Sequence, residues 1–268
     1  MTRPVEVEVL TWNLSKQDAA LEKVCKFAAN RAGAEVDFVI ALQECGDDAR
    51  AVEDKVDGLR QAGRKVYAVG NGTLVVLAST QLKTSAPRGD IVSGRCVFAT
   101  TSVGRIPLAI VNYHGMPRGT AGALESVERG GFASELRWFM DEHVGQAPAI
   151  VLGDFNVEPW EVEVTSRYCL SFSPKPAPVA GGSHGRSRAS LLPVSPRPSR
   201  LGPPGTFLLS STARGEVWHT LDFAAVSDAV ELELSIRSQL DAEPLLDSRG
   251  KPSLSDHLPV GGMLKLQP

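Results

Sequence analysis

The nine residues from Pro148 to Asn156 include a polar pair at a spacing that could act on a phosphate. A short apolar run predicts a buried strand, and Gly153 follows it where the backbone can bend. Asp154 and Asn156 come next, two positions apart, so in extended backbone their side chains lie on one face. A carboxylate can handle a metal or a proton, and an amide can stabilise an anionic oxygen. Both residue types also favour turns, and this segment alone is better explained as a strand that runs into a turn.

A second carboxylate lies inside an apolar run. Asp222 stands between Leu221 and Phe223, where an unpaired charge would cost several kcal/mol to bury. His257 is the obvious candidate partner, and His219 is a weaker one because it lies close by in sequence. A His–Asp pair fixes the tautomer of the imidazole and raises its basicity, so Asp222 and His257 together predict acid–base chemistry.

Four more polar residues border apolar runs that predict strands. Asn13, Glu44 and His114 each follow such a run, and Asp256 immediately precedes the final one. Taken singly, each is more often a turn residue or a solvated strand end. If the strands lie side by side, however, the ends converge on one rim, and the carboxylates, amides and imidazoles form one site.

The hydrophobic pattern predicts an α/β chain in which strands dominate. The predicted strands cover residues 5–13, 36–42, 67–79, 95–101, 107–113, 149–152, 205–210, 221–227, 230–236 and 259–266. One helix is predicted after Ser15, which is typical of an N-cap, and a second over about residues 48–61. Phe132, Leu136, Phe139 and Met140 mark a third helix.

The composition excludes several classes of protein. The chain has 268 residues, 43% of them apolar, which suffices for a core, and its formal net charge of -3 gives no global basic signature for nucleic acid. Its four cysteines are scattered, so neither a zinc site nor a disulfide framework is indicated. No signal peptide or membrane-spanning run is visible, so we expect a cytoplasmic protein without a membrane partner. The sequence indicates no protein partner.

In chain order the polar segments form a set that resembles a known superfamily. The set is Thr-Trp-Asn13, Leu-Gln-Glu44, Asn-Tyr-His114, Gly-Asp154-Phe-Asn156, Leu-Asp222-Phe and Ser-Asp256-His257. Each motif alone is weak, but their order resembles that of the endonuclease/exonuclease/phosphatase superfamily, which has the DNase I-like fold. The resemblance runs from about Val5 to Leu266 and implies one domain over residues 1–268. The implied fold is a four-layer αββα sandwich of two mostly antiparallel sheets flanked by helices.

The resemblance also implies roles for the metal-binding residues. Glu44 would bind a divalent metal, usually Mg²⁺, and Asn13 would help to hold that metal or the phosphate. Asp256 would be a further carboxylate at the metal. The chemistry agrees, because hard oxygen ligands without a cysteine cluster suit Mg²⁺, or alternatively Mn²⁺, better than zinc.

The remaining residues would act on the phosphate. The resemblance implies that Asp154 acts on the attacking water or the leaving oxygen and that Asn156 orients the scissile phosphate. His257, oriented by Asp222, would contact a phosphate oxygen or act as acid or base. His114 would stand on the opposite side of the phosphate. Hydrolysis of a phosphodiester needs these functions, because the substrate is a stable anion and its leaving oxygen must be protonated.

The sequence narrows the substrate less. The Asn-x-Arg typical of inositol-phosphate phosphatases is absent where Gly-Asp-Phe-Asn-Val stands, and nothing indicates the secretory route or membrane element of a sphingomyelinase. Abasic-site enzymes generally have tyrosine where His114 stands, and this difference makes an assignment to DNA repair weaker. A metal-dependent nuclease acting on DNA or RNA is the first hypothesis. A phosphatase or phosphodiesterase of small or lipid phosphoesters, and a catalytically silent binding module, remain as alternatives.

The best clue to the substrate is a basic, proline-rich segment. Residues 171–205 contain eight prolines, five Lys or Arg and no Asp or Glu, so we expect a flexible insertion without a helix or central strand. Tethered beside the Gly-Asp-Phe-Asn motif, it could hold a nucleic-acid backbone, although a solvated linker explains it almost equally well. The candidate substrate-binding residues are Arg95, Arg118, Lys175, Arg186 and Arg188. Tyr113 and Trp160 are candidates for stacking on a base.

Overall fold

The described part of the chain contains sixteen strands, two helices and two further helical residues, Trp138 and Phe139. The computed structural model describes residues 4–85, 94–116, 138–139, 147–159, 191–198, 203–212 and 215–267. The helices are α1 (Asp18–Gly33) and α2 (Ala49–Leu59). The strands are β1 (Val5–Asn13), β2 (Phe38–Gln43), β3 (Tyr67–Asn71), β4 (Leu74–Ala78), β5 (Lys83–Ser85), β6 (Cys96–Val103), β7 (Ile106–His114), β8 (Ala149–Asp154), β9 (Leu191–Val194), β10 (Phe207–Thr212), β11 (Gly215–His219), β12 (Asp222–Ser227), β13 (Val230–Ile236), β14 (Gln239–Leu240), β15 (Glu243–Pro244) and β16 (Val260–Leu266).

Two six-stranded sheets lie at the centre of the structure. The first has the order β13-β16-β1-β2-β4-β3 and the second the order β5-β6-β7-β8-β12-β9. Each contains one parallel pair, β1 with β2 and β7 with β8, and its other pairs are antiparallel. The predicted fold of two mostly antiparallel sheets is therefore confirmed.

Strands buried on both faces explain the long apolar runs in the sequence. In β2, Val39 and Ala41 face the second sheet, whereas Phe38, Ile40 and Leu42 pack with the helices on the outer face. Because side chains alternate along a strand, a strand covered on both sides must be apolar at nearly every position. Every second residue of each apolar run therefore contributes to the core between the sheets, and the residues between them pack on the outer face.

Aromatic side chains cover the outer face of the second sheet. Phe155 and Phe223 stack with ring centroids 3.9 Å apart, and Phe98 stacks with Phe139 at 4.7 Å. Trp138 and Phe139, both helical, are the described residues of the third predicted helix. The resulting order of helix, sheet, sheet and helix agrees with the predicted four layers.

Two local predictions differ from the structure. Ser15 is not an N-cap, because α1 begins at Asp18 with Gln17 as its N-cap residue. Ser15 instead adopts a φ of 48°, and its amide donates to Asn13 Oδ1. The predicted strand 67–79 is a hairpin of two strands, since Gly72 turns the chain with a φ of 55°.

The proline-rich segment has an ordered end. Leu191–Val194 forms β9 at the edge of the second sheet, with Pro193 opposite Ala225 of β12. An edge position tolerates proline because the missing amide is not needed for pairing. Arg197 then pairs with Ser235 at the edge of the first sheet. Residues 171–190 lie outside the described part, so the flexible insertion stays a prediction there.

The described helices also bear on the membrane prediction. Among the described residues, α1 and α2 are both too short or too polar to cross a bilayer, and no other candidate span is found.

Candidate active site

The ends of strands from both sheets meet at one rim. Parallel pairing places Asn13 beside Gln43 in the first sheet and His114 beside Asp154 in the second. Asp222, the first residue of antiparallel β12, lies opposite Asp154. Parallel neighbours end at the same edge, so their terminal polar residues converge although they are far apart in sequence.

Asp154 lies at the centre of this rim. Its carboxylate is buried, and Oδ2 accepts a hydrogen bond from Asn13 Nδ2 at 3.0 Å across the two sheets. Oδ1 accepts from the amide of Asn156 at 2.9 Å. Nε2 of His114 and Nε2 of His257 each stand 3.8 Å from Oδ2. Burial raises the pKa of Asp154 above its ordinary value, whereas the neighbouring His257 opposes that shift.

His257 forms a short hydrogen bond with the buried carboxylate of Asp222. Nδ1 of the imidazole lies 2.7 Å from Asp222 Oδ2, which leaves Nε2 facing Asp154. Burial alone lowers the pKa of His257, but the charges of Asp222 and Asp154 outweigh it and raise the pKa to about 9. The imidazole is therefore a cation near neutral pH, and its charge balances the carboxylates around it.

Backbone contacts fix this pair in place. Trp12 Nε1 donates to the carbonyl of His257 at 2.9 Å, and Ser255 Oγ accepts from the His257 amide. Ser255 Oγ also donates to the carbonyl of Asn13. On the other side, Thr206 Oγ1 accepts from the amide of Asp222 at 3.1 Å. Both members of the pair thus have their main chains anchored.

His114 stands between two carboxylates. Its Nε2 lies 3.6 Å from Glu44 Oε1 in addition to its approach to Asp154. Burial lowers the pKa of His114; Asp154 opposes this shift, and the guanidinium of Arg95 adds to it. Arg95 Nη1 donates to the carbonyl of Gly115 at 3.5 Å, so its charge lies beside the rim.

Glu44 and Asn156 both adopt left-handed backbone conformations. Their φ angles are 47° and 53°, a region that costs little for asparagine and more for glutamate. The turn leaves the Glu44 side chain 34% exposed beside buried neighbours. Asn156 uses its turn to donate from Nδ2 to the carbonyl of Gly115 at 2.8 Å. Such strain is concentrated at functional positions in proteins.

Asp256 is the most solvent-exposed of the three predicted metal residues. It precedes His257, and Ser15 Oγ donates a hydrogen bond to its Oδ1. Asp256 thus lies next to the loop after β1, which also contacts the backbone of Glu44 through the amide of Lys16. Asn13, Glu44 and Asp256 therefore surround one loop at the rim.

The chemistry of these donors fits a hard divalent cation. Ligand atoms of Asp154, Asp222 and His257 all lie within 4.8 Å of one another, and Asp222 Oδ1 is buried without a hydrogen-bond partner in the described residues. Because His257 Nδ1 already bonds to Asp222, this triad is better suited to move a proton than to bind an ion. The partly exposed Glu44 and the oxygens around it suit Mg²⁺ or Mn²⁺.

Other predicted residues lie elsewhere. The predicted residues outside the described part of the chain are Arg118, Trp160, Lys175, Arg186 and Arg188. The stacking prediction for Tyr113 is wrong, because its ring is fully buried and packs against Phe155 with centroids 5.4 Å apart.

The structure also separates His219 from Asp222. His219 Nδ1 lies 2.9 Å from Glu158 Oε1, and Glu158 Oε2 accepts from the amide of Thr220. The sequence analysis did not identify Glu158. Its position two residues after Asn156 is the only feature of the sequence that could have pointed to it. The sequence analysis also missed Thr11, Gln43 and Asn112, three buried polar residues next to the predicted strand ends.

Comparison with known proteins identifies the family. The model of the Endonuclease/Exonuclease/phosphatase family matches residues 10–257. The chain belongs to this family. Members of the endonuclease/exonuclease/phosphatase family are hydrolases that act on phosphoester bonds and generally depend on divalent metals. No curated protein matches the chain.

Solved structures of the endonuclease/exonuclease/phosphatase family share the fold. A family protein from Bacteroides vulgatus is 18% identical with a TM-score of 0.63, and the match covers 98% of this chain and 99% of that one. One from Bacteroides thetaiotaomicron is 16% identical with a TM-score of 0.62, and all of both chains is covered. TDP2 from D. rerio, complexed with single strand DNA product, is 14% identical with a TM-score of 0.58, over 97% of this chain and 98% of that one.

Proposed function

We propose that this protein is a divalent-metal-dependent phosphodiester hydrolase that cleaves nucleic acid. The observation that carries the proposal is the environment of Asp154 Oδ2, which lies 3.8 Å from Nε2 of both His114 and His257. A buried carboxylate between two imidazoles, with an amide donor on each side, can hold a water molecule and accept its proton. All of these groups lie at one rim, where the acidic side chain of Glu44 is partly exposed.

Each side chain has a distinct task in this mechanism. Asp154, whose pKa is raised by burial, accepts the proton of the attacking water. Protonated His257 donates from Nε2 to a phosphate or leaving oxygen, and Asp222 holds its other nitrogen. His114 contacts the phosphate from the other side, and Asn156, whose Nδ2 lies 3.4 Å from Asp154 Oδ2, orients it. Together these contacts balance the charge that develops on the phosphate oxygens.

Glu44, Asn13 and Asp256 would hold the metal, with Mg²⁺ as the expected ion and Mn²⁺ as the alternative. A divalent ion supplies Lewis acidity and neutralises the non-bridging oxygens of the phosphate. The protein's own contribution is the fixed position of Glu44, which its left-handed turn directs to the rim. Asn13 already joins that rim to Asp154.

Two observations support nucleic acid as the substrate. The similar structure of TDP2 from D. rerio contains a single strand DNA product. In this chain, Arg95 stands beside His114, and the basic segment 171–205 starts shortly after Asn156. We propose that Arg95, Arg118, Lys175, Arg186 and Arg188 contact the phosphate backbone, since such contacts supply most of the non-specific affinity for nucleic acid.

A substrate panel tests the proposed function. Supercoiled plasmid, short single-stranded DNA, short RNA and bis(p-nitrophenyl) phosphate are each incubated with the full chain in Mg²⁺, in Mn²⁺ and in EDTA. We expect cleavage of a nucleic acid with either ion and none in EDTA. Hydrolysis of the small phosphodiester alone would contradict the nucleic-acid assignment, and no hydrolysis with any ion would contradict the enzymatic one.

Isosteric substitutions test the assigned residues. Asp154→Asn and His257→Gln should each lower kcat by about a hundredfold to ten-thousandfold, because each removes one proton-transfer group. Asp228→Asn, an exposed position directly after β12, serves as the matched control and should leave kcat unchanged. Circular dichroism establishes that each variant is folded. A near-normal rate in either site variant would refute its role.

A further inference from the structure

A buried polar bridge joins the two sheets directly beneath the candidate active site. Asn112 of β7 reaches across the core and donates from Nδ2 to the carbonyls of Leu42 and Val75, at 2.8 and 3.0 Å. These two residues pair with each other in the first sheet. The amide of Asn112 therefore lies between two strands of the opposite sheet.

Gln43 completes the bridge from the first sheet. Its Nε2 donates to Asn112 Oδ1 at 2.6 Å and to Thr11 Oγ1 at 3.1 Å, and Thr11 donates back to Gln43 Oε1 at 3.4 Å. Because Asn112 donates to two carbonyls, its oxygen must face Gln43. Thr11, Gln43 and Asn112 are all fully buried in the otherwise apolar space between the sheets.

The bridge lies one or two residues from the reacting groups. Gln43 precedes Glu44, Asn112 lies two residues before His114 on the same face of β7, and Thr11 has the same relation to Asn13. Glu44 and His114 belong to opposite sheets and stand 3.6 Å apart. Hydrogen bonds that cross from one sheet to the other are directional, so they restrict the relative position of the two sheets more tightly than apolar contacts do.

We propose that Gln43 and Asn112, supported by Thr11, are positioning residues that set the distance between Glu44 and the phosphate-binding side of the site. This inference rests on the proposed function, since Glu44 is there the metal-binding carboxylate. In a variant that still folds, loss of the bridge would misplace Glu44 relative to His114 and Asp154. The expected consequence is a weaker metal site, because residues that orient metal ligands typically contribute about 10–100-fold to metal affinity or activity.

Gln43→Met tests the proposal, because methionine keeps the length of the side chain and removes its hydrogen bonds. We expect the Mg²⁺ concentration for half-maximal hydrolysis to rise about tenfold or more, while kcat at saturating Mg²⁺ falls by a smaller factor. Mn²⁺ binding without substrate, measured by electron paramagnetic resonance, should weaken in parallel. An unchanged Mg²⁺ requirement and unchanged Mn²⁺ binding would overturn the proposal.

Ile110→Ala is the matched control. Ile110 lies two residues before Asn112 on the same face of β7 and is buried between the sheets. Its truncation should lower the melting temperature while the Mg²⁺ requirement stays within about twofold of wild type, since it removes core packing without touching the bridge. A Mg²⁺ shift as large as that of Gln43→Met would mean that any loosening of the sandwich has this effect, and would overturn the proposal.

Two further measurements keep the inference testable. If Gln43→Met does not fold, Thr11→Val removes the hydroxyl that contacts the Gln43 amide at nearly constant shape, and it should shift the Mg²⁺ requirement in the same direction. If the wild-type chain hydrolyses no phosphodiester, the proposed function fails. The bridge can then be tested by itself through the ring NMR signals of His114, which are assigned by their loss in His114→Gln. They should move in Gln43→Met and not in Ile110→Ala, and unmoved signals would overturn the positioning role.

Discussion

At the scale of single residues, the site is a balance of charges held out of water. Asp154 and Asp222 are both buried, and His257 lies within hydrogen-bonding or ion-pair distance of both. A buried carboxylate without such a partner would be strongly unfavourable. The same cation that stabilises the two acids is also the one able to donate a proton, so stability and proposed chemistry depend on one imidazole.

The charge on His257 predicts a pH-dependent stability. Its pKa rises from 6.5 to about 9 on folding, so its contribution is fully present below pH 6.5 and is lost as the pH rises through 9. The contribution amounts to about 3 kcal/mol. The free energy of unfolding of wild type, relative to a His257→Gln/Asp222→Asn double variant, should fall by about that amount between pH 6 and pH 9.5.

Urea denaturation in EDTA at pH 6 and pH 9.5 measures the difference in free energy of unfolding between wild type and the double variant. Both residues are changed together so that neither Asp222 nor His257 is left as an unpaired buried charge. Asp228→Asn serves as control and should follow the wild type at both pH values. A difference between wild type and double variant that is independent of pH would show that His257 is not charged in the folded protein.

Glu44 offers a separate residue-scale prediction. As a partly exposed carboxylate at the rim, it should affect the metal more than the fold. Glu44→Gln should raise the Mg²⁺ concentration for half-maximal hydrolysis by at least about a hundredfold, since even residues that only orient a metal ligand contribute 10–100-fold. The measurement is hydrolysis against Mg²⁺ concentration, and Glu231→Gln on the exposed face of β13 is the control. Equal Mg²⁺ requirements in the two variants would contradict the assignment of Glu44 as a metal ligand.

At the scale of elements, the close pairing of β7 with β8 sets the site. Gly153 lies beside Tyr113 in this parallel pair, and a Cβ at Gly153 would stand 1.8 Å from the carbonyl oxygen of Tyr113. A larger residue would force the strands apart between His114 and Asp154. The glycine of the Gly-Asp-Phe-Asn motif is therefore required by strand packing.

Gly153→Ala should lower the free energy of unfolding by about 3 kcal/mol, because the added methyl group meets backbone rather than a flexible side chain. Its Mg²⁺-dependent hydrolysis should fall too, as Asp154 moves relative to His114. Gly58→Ala is the control, since nothing lies within 4 Å of a Cβ there. In α2 that change should stabilise the protein by roughly 0.5–1 kcal/mol. Equal stability of the two variants would contradict the close-approach argument.

At the scale of the whole molecule, two sheets contribute different parts of one site. The first sheet contributes Asn13 at the end of β1 and Glu44 directly after β2. The second sheet contributes His114, Asp154 and Asp222. Segment 191–198 runs from the edge of the second sheet to the edge of the first, so the basic segment that precedes it is anchored to the sandwich.

The basic segment predicts the salt dependence of nucleic-acid binding. A Lys175→Gln/Arg186→Gln/Arg188→Gln variant keeps β9 and removes three charges. If each contacts a phosphate, the slope of log affinity against log salt for single-stranded DNA should become shallower by about 2. Fluorescence anisotropy at several salt concentrations measures the slope. Lys83→Gln/Arg105→Gln/Lys265→Gln, at the end of the sandwich away from His114, is the control. Equal slopes in the two variants would contradict phosphate contacts by the segment and would favour its interpretation as a solvated linker.

The sequence alone determined the elements and the family. Apolar runs with polar ends predicted most strands within a few residues, because burial on both faces leaves a strong compositional trace. The ordered motifs identified the superfamily, which the family comparison confirms. Ser15 and segment 67–79 were assigned incorrectly in detail, since local propensity cannot show that Ser15 is held by Asn13 or that Gly72 reverses the chain.

The tertiary structure decided which polar residues meet and in what charge state. The sequence offered both His257 and His219 as partners of Asp222. The folded chain shows that Asp222 bonds to His257 while His219 bonds to Glu158, and that Tyr113 is buried. It also revealed the bridge of Gln43 and Asn112, which in sequence look like ordinary strand residues. Hydrogen bonds between residues 69 positions apart leave no local pattern. The burial and the neighbouring charges that shift the pKa values of Asp154 and His257 are likewise properties of the packed molecule.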